Sequence, residues 1–128
     1  MLRVKTYLSK STIPEAGNGL FANEFIPKGT IVWAQSEGDL VVENSTYIGL
    51  NTQQKAYIDK YAFLDTVSKQ RILCGDNGKY MNHSETPNVS DTDPLYTIAL
   101  VDINKDEEIF CDYSTFDAEW KSKLNLED

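Results

Sequence analysis

Near residue 85 the chain runs Asn82-His83-Ser84-Glu85-Thr86-Pro87-Asn88, placing its only histidine among side chains that hydrogen-bond readily. Five fixed positions, Asn-His-Ser-x-x-Pro-Asn, would arise by accident in on the order of one such chain in 10⁴ at usage near ~5% per residue type. Taken alone, the segment also reads as a polar turn, with Pro87 fixing φ and Asn88 tolerating the left-handed region. A second run, Asp106-Glu107-Glu108-Ile109-Phe110-Cys111-Asp112-Tyr113, ends with an acid beside a phenol. A third, Gly17-Asn18-Gly19-Leu20-Phe21-Ala22, carries glycines whose missing Cβ atoms let backbone amides and carbonyls approach a ligand closely. It is not a dinucleotide fingerprint, because the third glycine and a following amphipathic helix are missing. Hydrolysis through Ser84 and His83 is disfavoured, since adjacent residues cannot easily form the required hydrogen bond and no elbow motif surrounds Ser84 or the cysteines.

The elements that must position these segments are short. Arg3 to Leu8 alternates with the period of a half-buried strand, and Ser9 to Gly19 reads as a loop. Leu20–Ala22 and Thr30–Ala34 suggest a hairpin about the turn Ile26-Pro27-Lys28-Gly29, and Leu40–Val42 is one more brief apolar run. Asn51 and Gln54 look like an N-cap and its N3 partner, with Ala56, Tyr57, Tyr61 and Leu64 at helical spacing behind them. Arg71–Cys74 and Lys79–Met81 flank a predicted tight turn at Gly75-Asp76-Asn77-Gly78. Tyr96–Val101 and Glu108–Cys111 supply further strands around Asn104-Lys105-Asp106, and Thr115–Leu124 is expected to end as a helix with Trp120 and Leu124 on one face. Many short strands with a single helix imply a mainly β or α+β domain rather than alternating βαβ units.

Composition narrows the function classes. A length of 128 residues suits one hydrophobic core, and 41% hydrophobic with 25% charged residues argues for a globular fold over disorder. The net charge of −8 disfavours nucleic acid as the main partner and favours a cationic one. No apolar run reaches the roughly 18–20 residues that span a bilayer, and residues 1–10 lack the core of a secretory signal, so a cytoplasmic protein without membrane partners is expected. Cys74 and Cys111 with one histidine are too few for a structural zinc site.

Taken in order, Gly17-Asn18-Gly19, Asn82-His83-Ser84-x-x-Pro87-Asn88 and Glu107-Glu108-Ile109-x-x-Asp112-Tyr113 resemble the three motifs of SET-domain protein-lysine methyltransferases. The resemblance runs from about Val4 to Phe116, that of a minimal domain. It implies a fold of several small sheets with one or two short helices, in which the Asn-His-Ser segment threads beneath the loop carrying Asp112-Tyr113 to make a pseudoknot. One domain over 1–128 is expected, with 114–128 as its closing segment. The resemblance also implies transfer of a methyl group from S-adenosyl-L-methionine to a lysine side chain in a protein or peptide, which is expected to be basic. By the same resemblance Tyr113 is the catalytic residue; Gly17, Asn18, Gly19, Asn82 and His83 bind the cofactor; and Tyr61 and Phe116 line the substrate channel.

Several positions depart from the family pattern. Glu85 stands where many relatives have a zinc-binding cysteine, and no cysteine cluster follows Asp112-Tyr113; closing the site then falls to Phe116–Leu124 or to a partner chain, a homodimer included. Asp106 replaces the usual glycine, a change that a left-handed turn tolerates. Cys111 is smaller than the Phe or Tyr often found there, which implies a wider channel and more than one methyl per lysine. The alternative reading is an inactive SET-like protein-binding module.

Overall fold

The computed structural model describes residues 1–93 and 95–126. In chain order the strands are β1 (Thr6–Lys10), β2 (Asn18–Ala22), β3 (Ile31–Ala34), β4 (Leu40–Val42), β5 (Phe63–Leu64), β6 (Arg71–Leu73), β7 (Asn82–His83), β8 (Val89–Ser90), β9 (Tyr96–Ala99) and β10 (Phe110–Cys111). Helices α1 (Asn44–Ile48) and α2 (Thr52–Tyr61) lie between β4 and β5, and α3 (Trp120–Lys123) closes the chain. The strands form four small sheets: β1-β2, β3-β9-β8, β4-β6-β5 and the pair β10-β7. No helix among the described residues is long and apolar enough to cross a membrane.

The main core gathers one or two residues from many strands. Leu20, Ile26, Val32, Val89, Ile103 and Ile109 are all at most 1% exposed and pack as one cluster that also contains Met81 and Cys111. Burial of such side chains stabilises by about 1.5–3 kcal/mol each before entropy is set against it. A smaller cluster of Val42, Ile58 and Ala62 seats α2 against β4.

Local chemistry explains α2. The Asn51 side chain accepts from the N–H of Gln54 at 2.8 Å, and the Gln54 side chain accepts from the N–H of Asn51 at 3.0 Å, the reciprocal box expected from the sequence. The helix stops at Tyr61 because Ala62 turns to extended backbone (φ −86°, ψ 157°) and is itself buried. Leu64 therefore belongs to β5, not to the helix.

Two turns behave differently from expectation. Pro27 and Gly29 do reverse the chain, with Gly29 at φ 88° and Thr30 N–H donating to Pro27 C=O at 3.1 Å. Yet β2 pairs with β1 and β3 with β9, so no hairpin joins β2 to β3. A turn sets only a local reversal; here Ile26 exchanges backbone hydrogen bonds with Ile103 at 2.8 Å, which carries the two arms to different partners. At Gly75–Gly78 the Asp76 carboxylate accepts from Gly78 N–H at 3.0 Å and caps a 3₁₀ turn over Asn77–Tyr80, so Lys79–Met81 does not form a strand. The span Ser9–Gly19 is likewise shorter as a loop, because Ser9 and Lys10 remain in β1 and Asn18 and Gly19 already lie in β2.

Candidate active site

The site is built where β7 and β10, far apart in sequence, run parallel, with Asn82 opposite Phe110 and His83 opposite Cys111. Side chains extend this pairing. Asn88 accepts from Phe110 N–H at 2.8 Å through Oδ1 and donates to Glu108 C=O at 2.9 Å through Nδ2, satisfying both ends of its amide. Just past β10, the N–H of Tyr113 donates to Nδ1 of His83 at 3.0 Å. A ring nitrogen that accepts carries no proton, so the neutral imidazole keeps its N–H on Nε2.

The same contacts position the phenol. Tyr113 O–H donates to Met81 C=O at 2.9 Å, and its ring meets His83 at 5.2 Å and Phe116 at 6.0 Å between centroids. Burial, with smaller contributions from the charges of Cys111 and Asp117, pushes the Tyr113 hydroxyl well above its usual value. It is therefore a phenol at every physiological pH. With its proton committed to Met81 C=O, the Tyr113 oxygen keeps its lone pairs for a ligand.

Two hollows meet at this tyrosine. One, with about 1960 Å³ of open space, is lined by Gly17, Asn18, Asn82 and His83 along with α2 and α3 residues. The other, about 950 Å³ including its mouth, is lined by Phe63, Met81, Cys111 and Phe116 among others. Tyr61 and Tyr113 border both. Tyr61, the last residue of α2, is held by ring contacts to Tyr57 at 4.9 Å and Tyr80 at 5.5 Å.

Gly19 does not join the lining. A Cβ there would fall 2.4 Å from Oε2 of Glu108 and 3.3 Å from Cα of Ser11, so this glycine makes room for a carboxylate behind the cleft. Gly17, at φ 76° with nothing within 4 Å of a notional Cβ, faces open space. Asp106, at φ 74°, adopts the left-handed turn expected of it.

Glu108 is the residue whose role sequence reading missed. It is 5% exposed and accepts from Ser11 Oγ (2.8 Å), Thr12 N–H (2.7 Å), Thr12 Oγ1 (2.7 Å) and Asn82 Nδ2 (3.2 Å). Asn82 Nδ2 also donates to Asn18 C=O at 3.0 Å, so one amide joins the glycine loop to β7. Burial pushes the Glu108 carboxyl up, but the hydrogen bonds from Thr12, Ser11 and Asn82 outweigh it and leave it below the ordinary value. Its sequence signal was its place in the Glu107-Glu108-Ile109 motif, directly before the apolar run Ile109-Phe110-Cys111.

The C-terminal segment is latched by Asp117, 1% exposed. Its carboxylate accepts from Leu64 N–H at 3.1 Å, Glu119 N–H at 2.9 Å and Lys123 Nζ at 2.5 Å. Lys123 also donates to Ala62 C=O, next to Tyr61. Residues 116–124 thus close against β5 and the end of α2, with Leu124 on the larger hollow. Cys74 and Cys111 are both free and buried, and burial pushes the Cys74 thiol up to about 12. Ser84 Oγ lies 3.3 Å from Thr86 Oγ1, while His83 Nδ1 is taken by Tyr113, so the two make no nucleophile–base pair.

Comparison with known proteins agrees with this architecture. A family model described as the SET domain matches residues 17–114. No curated protein matches the chain. Among solved structures, a Plasmodium falciparum protein named as a candidate histone methyltransferase is similar at 23% identity and TM-score 0.62, with 88% of this chain and 95% of that chain covered. A chain of the ctPRC2 complex in an autoinhibited conformation bound to S-adenosylmethionine is similar at 20% identity and TM-score 0.65, covering 95% of this chain but only 16% of that one. A chain of Chaetomium thermophilum Polycomb Repressive Complex 2 bound to GSK126 gives 21% identity and TM-score 0.65, with 95% of this chain and 17% of that one covered. At these identities the likeness establishes the fold.

Proposed function

This chain belongs to the SET-domain family, and from that premise we propose that it transfers a methyl group from S-adenosyl-L-methionine to the side-chain amine of a lysine in a protein. The observation that carries the reading is that Tyr61 and Tyr113 stand between two hollows of different character. Donor and acceptor can approach one point from opposite sides, which is the geometry an in-line displacement requires.

The larger hollow suits the cofactor. Gly17 leaves the loop backbone open, His83 has an N–H on Nε2 to offer, and both signs of charge are present in Lys60, Lys79, Asp59 and Glu119 for a ligand bearing a carboxylate and an ammonium. Gly17, Asn18, Asn82 and His83 would hold it, and Gly19 serves indirectly by admitting Glu108. When bound, the cofactor supplies a methyl group made electrophilic by its sulfonium.

The smaller hollow suits the acceptor. Rings of Tyr61, Phe63, Tyr113 and Phe116 strip water from a lysine stem. Free lysine has a pKa of ~10.4; removal from water disfavours its charged form and delivers the neutral nucleophile, so no dedicated base is needed. The Tyr113 oxygen accepts a hydrogen bond from the incoming amine and fixes its direction. Cys111, 3% exposed in the pocket wall, leaves room for a methylated amine to turn, so more than one methyl is expected per lysine.

Radiolabelled methyl incorporation into a lysine peptide library tests the reading, with Tyr113→Phe expected to lower the rate by about 10²-fold while the melting temperature stays near native. Labelling unchanged by Tyr113→Phe removes its role. Stabilisation by S-adenosyl-L-methionine without any labelling would favour the inactive binding module. Mass counting on the product checks the number of methyls, and Cys111→Phe is expected to reduce it.

A further inference from the structure

The closing segment carries a buried ion pair whose acid divides its work between two oxygens. Asp117 Oδ1 accepts from the N–H groups of Leu64 and Glu119, at 3.1 and 2.9 Å, while Oδ2 accepts from Lys123 Nζ at 2.5 Å. One oxygen therefore braces backbone and the other holds the cation. Lys123 in turn donates to Ala62 C=O. Ala62 is the residue at which α2 leaves helical geometry, so its carbonyl lies at the helix end where peptide dipoles gather negative charge. A cation from 61 positions away thus caps the helix whose last residue is Tyr61.

Stability alone is a poor reason for this arrangement. The Lys123 and Asp117 side chains are 13% and 2% exposed, and a well-packed apolar pair in place of buried charges is often as stable or more so. Place distinguishes the pair instead. Lys123 borders both hollows, as Tyr61 and Tyr113 do. Phe116, just before Asp117, meets the Phe63 ring at 5.1 Å, and Ala118, just after it, donates its N–H to Leu64 C=O at 2.8 Å. The ring of Tyr61 touches Tyr57, itself 44% exposed, and the half-buried Tyr80, neighbours that leave a ring room to move. The bond from Lys123 to the Ala62 carbonyl fixes the backbone beside it.

We propose that Lys123 is a positioning residue for methyl transfer: its ammonium, held by Asp117, ties down the end of α2 and so sets Tyr61 at the boundary where the two hollows meet. The inference rests on the methyltransferase reading and deepens it. Lys123 acts through Tyr61, whose ring then keeps the opening between the hollows narrow enough to aim a lysine stem at the donor. In-line transfer tolerates little error in that approach. An apolar side chain at 123 cannot do the same, because Ala62 C=O and Asp117 Oδ2 both take a hydrogen bond from this one group.

The test is steady-state methylation of a lysine peptide at saturating S-adenosyl-L-methionine, on the chain with Asp117→Asn and Lys123→Met together. Changing both removes the pair without stranding one buried charge, and the amide oxygen can still brace Leu64 and Glu119. KM for the peptide is expected to rise about tenfold, while the calorimetric stoichiometry for S-adenosyl-L-methionine stays native and shows the chain folded. Lys123→Arg, which keeps the cation and its donors, should stay within about threefold of the native KM. Lys121→Met, on the same helix but outside both hollows, should match the native chain. In a Tyr61→Ala background the paired change should have little further effect. An unchanged KM, with any fall in kcat matched by a fall in binding stoichiometry, is the mark of a structural role; it overturns the inference and leaves the enzyme reading intact. So does a paired change as costly without Tyr61 as with it, or a Lys123→Arg chain no better than the paired variant. A native chain that methylates no lysine peptide overturns the enzyme reading and this inference with it.

Discussion

Two of the carboxylates that flank the site, Glu108 and Asp91, are treated by the fold in opposite ways. Glu108, behind the larger hollow, is surrounded by donors from Ser11, Thr12 and Asn82. Asp91, in the wall of the smaller hollow, has one hydroxyl partner and one oxygen with none among the described residues. Both are removed from water, yet their acidities move in opposite directions because hydrogen bonds compensate the lost solvation in one and fall short in the other. A satisfied buried charge ties chain segments together; an unsatisfied one is kept at a cost, and sites that bind ligands are where such costs are tolerated.

The largest expected effect is on Glu108. Glu108→Ala strips an acceptor from donors on two segments, Ser11-Thr12 and Asn82, and should cost about 3 kcal/mol, read as a lower urea midpoint. Next comes Gly19→Ala, whose added methyl meets Oε2 at 2.4 Å; about 1–3 kcal/mol is expected from overpacking. The double variant should lose less than the sum, because the atom that clashes is already gone. Additive losses would break the picture of Gly19 as room for Glu108.

Acid titration of stability sharpens the contrast. Glu108 is depressed in the folded state, so its stabilisation is present above its unfolded value of 4.5 and is lost as pH falls through the lower folded value. Asp91 is raised from 3.8 to about 6, so the folded state binds the proton more tightly and this group's contribution improves as pH falls from about 6 towards 4. Glu108→Gln should remove part of the loss at low pH, whereas Asp91→Asn should remove a gain between those two values. The smallest effect is expected for Asp91→Asn at pH 7, which takes away a poorly solvated charge and should change stability by no more than about 1 kcal/mol, in the stabilising direction. A loss there as large as that of Glu108→Ala would erase the distinction between the two carboxylates.

Much of this arrangement was legible in the residues. The α2 cap at Asn51 and Gln54 and the left-handed turn at Asp106 follow from local chemistry, and both appear as expected. The reversal at Pro27–Gly29 was legible too, but its hairpin was not, since pairing partners are chosen by the core and not by the turn. The 3₁₀ turn at Asn77–Tyr80 was hidden because Asp76 uses its side chain to cap the segment, an option a tight-turn reading of Asn-Gly does not weigh. Of the candidate residues, Gly17, Asn18, Asn82, His83, Tyr61 and Tyr113 all line the larger hollow, and Phe116 lines the smaller one. Gly19 alone turned out to face Glu108 instead.

By itself the sequence determined the kind of domain and the short motifs, because turn preferences, capping and hydrogen-bonding capacity are properties of a few neighbouring residues. Only the tertiary structure decided that the Tyr113 hydroxyl donates to Met81 C=O, that Glu108 is satisfied, and that one Asp91 oxygen is buried without a donor among the described residues. Those outcomes depend on segments up to a hundred positions apart meeting in a space without water. The strength and direction of an electrostatic effect there are set by which groups face each other, and no local pattern encodes that.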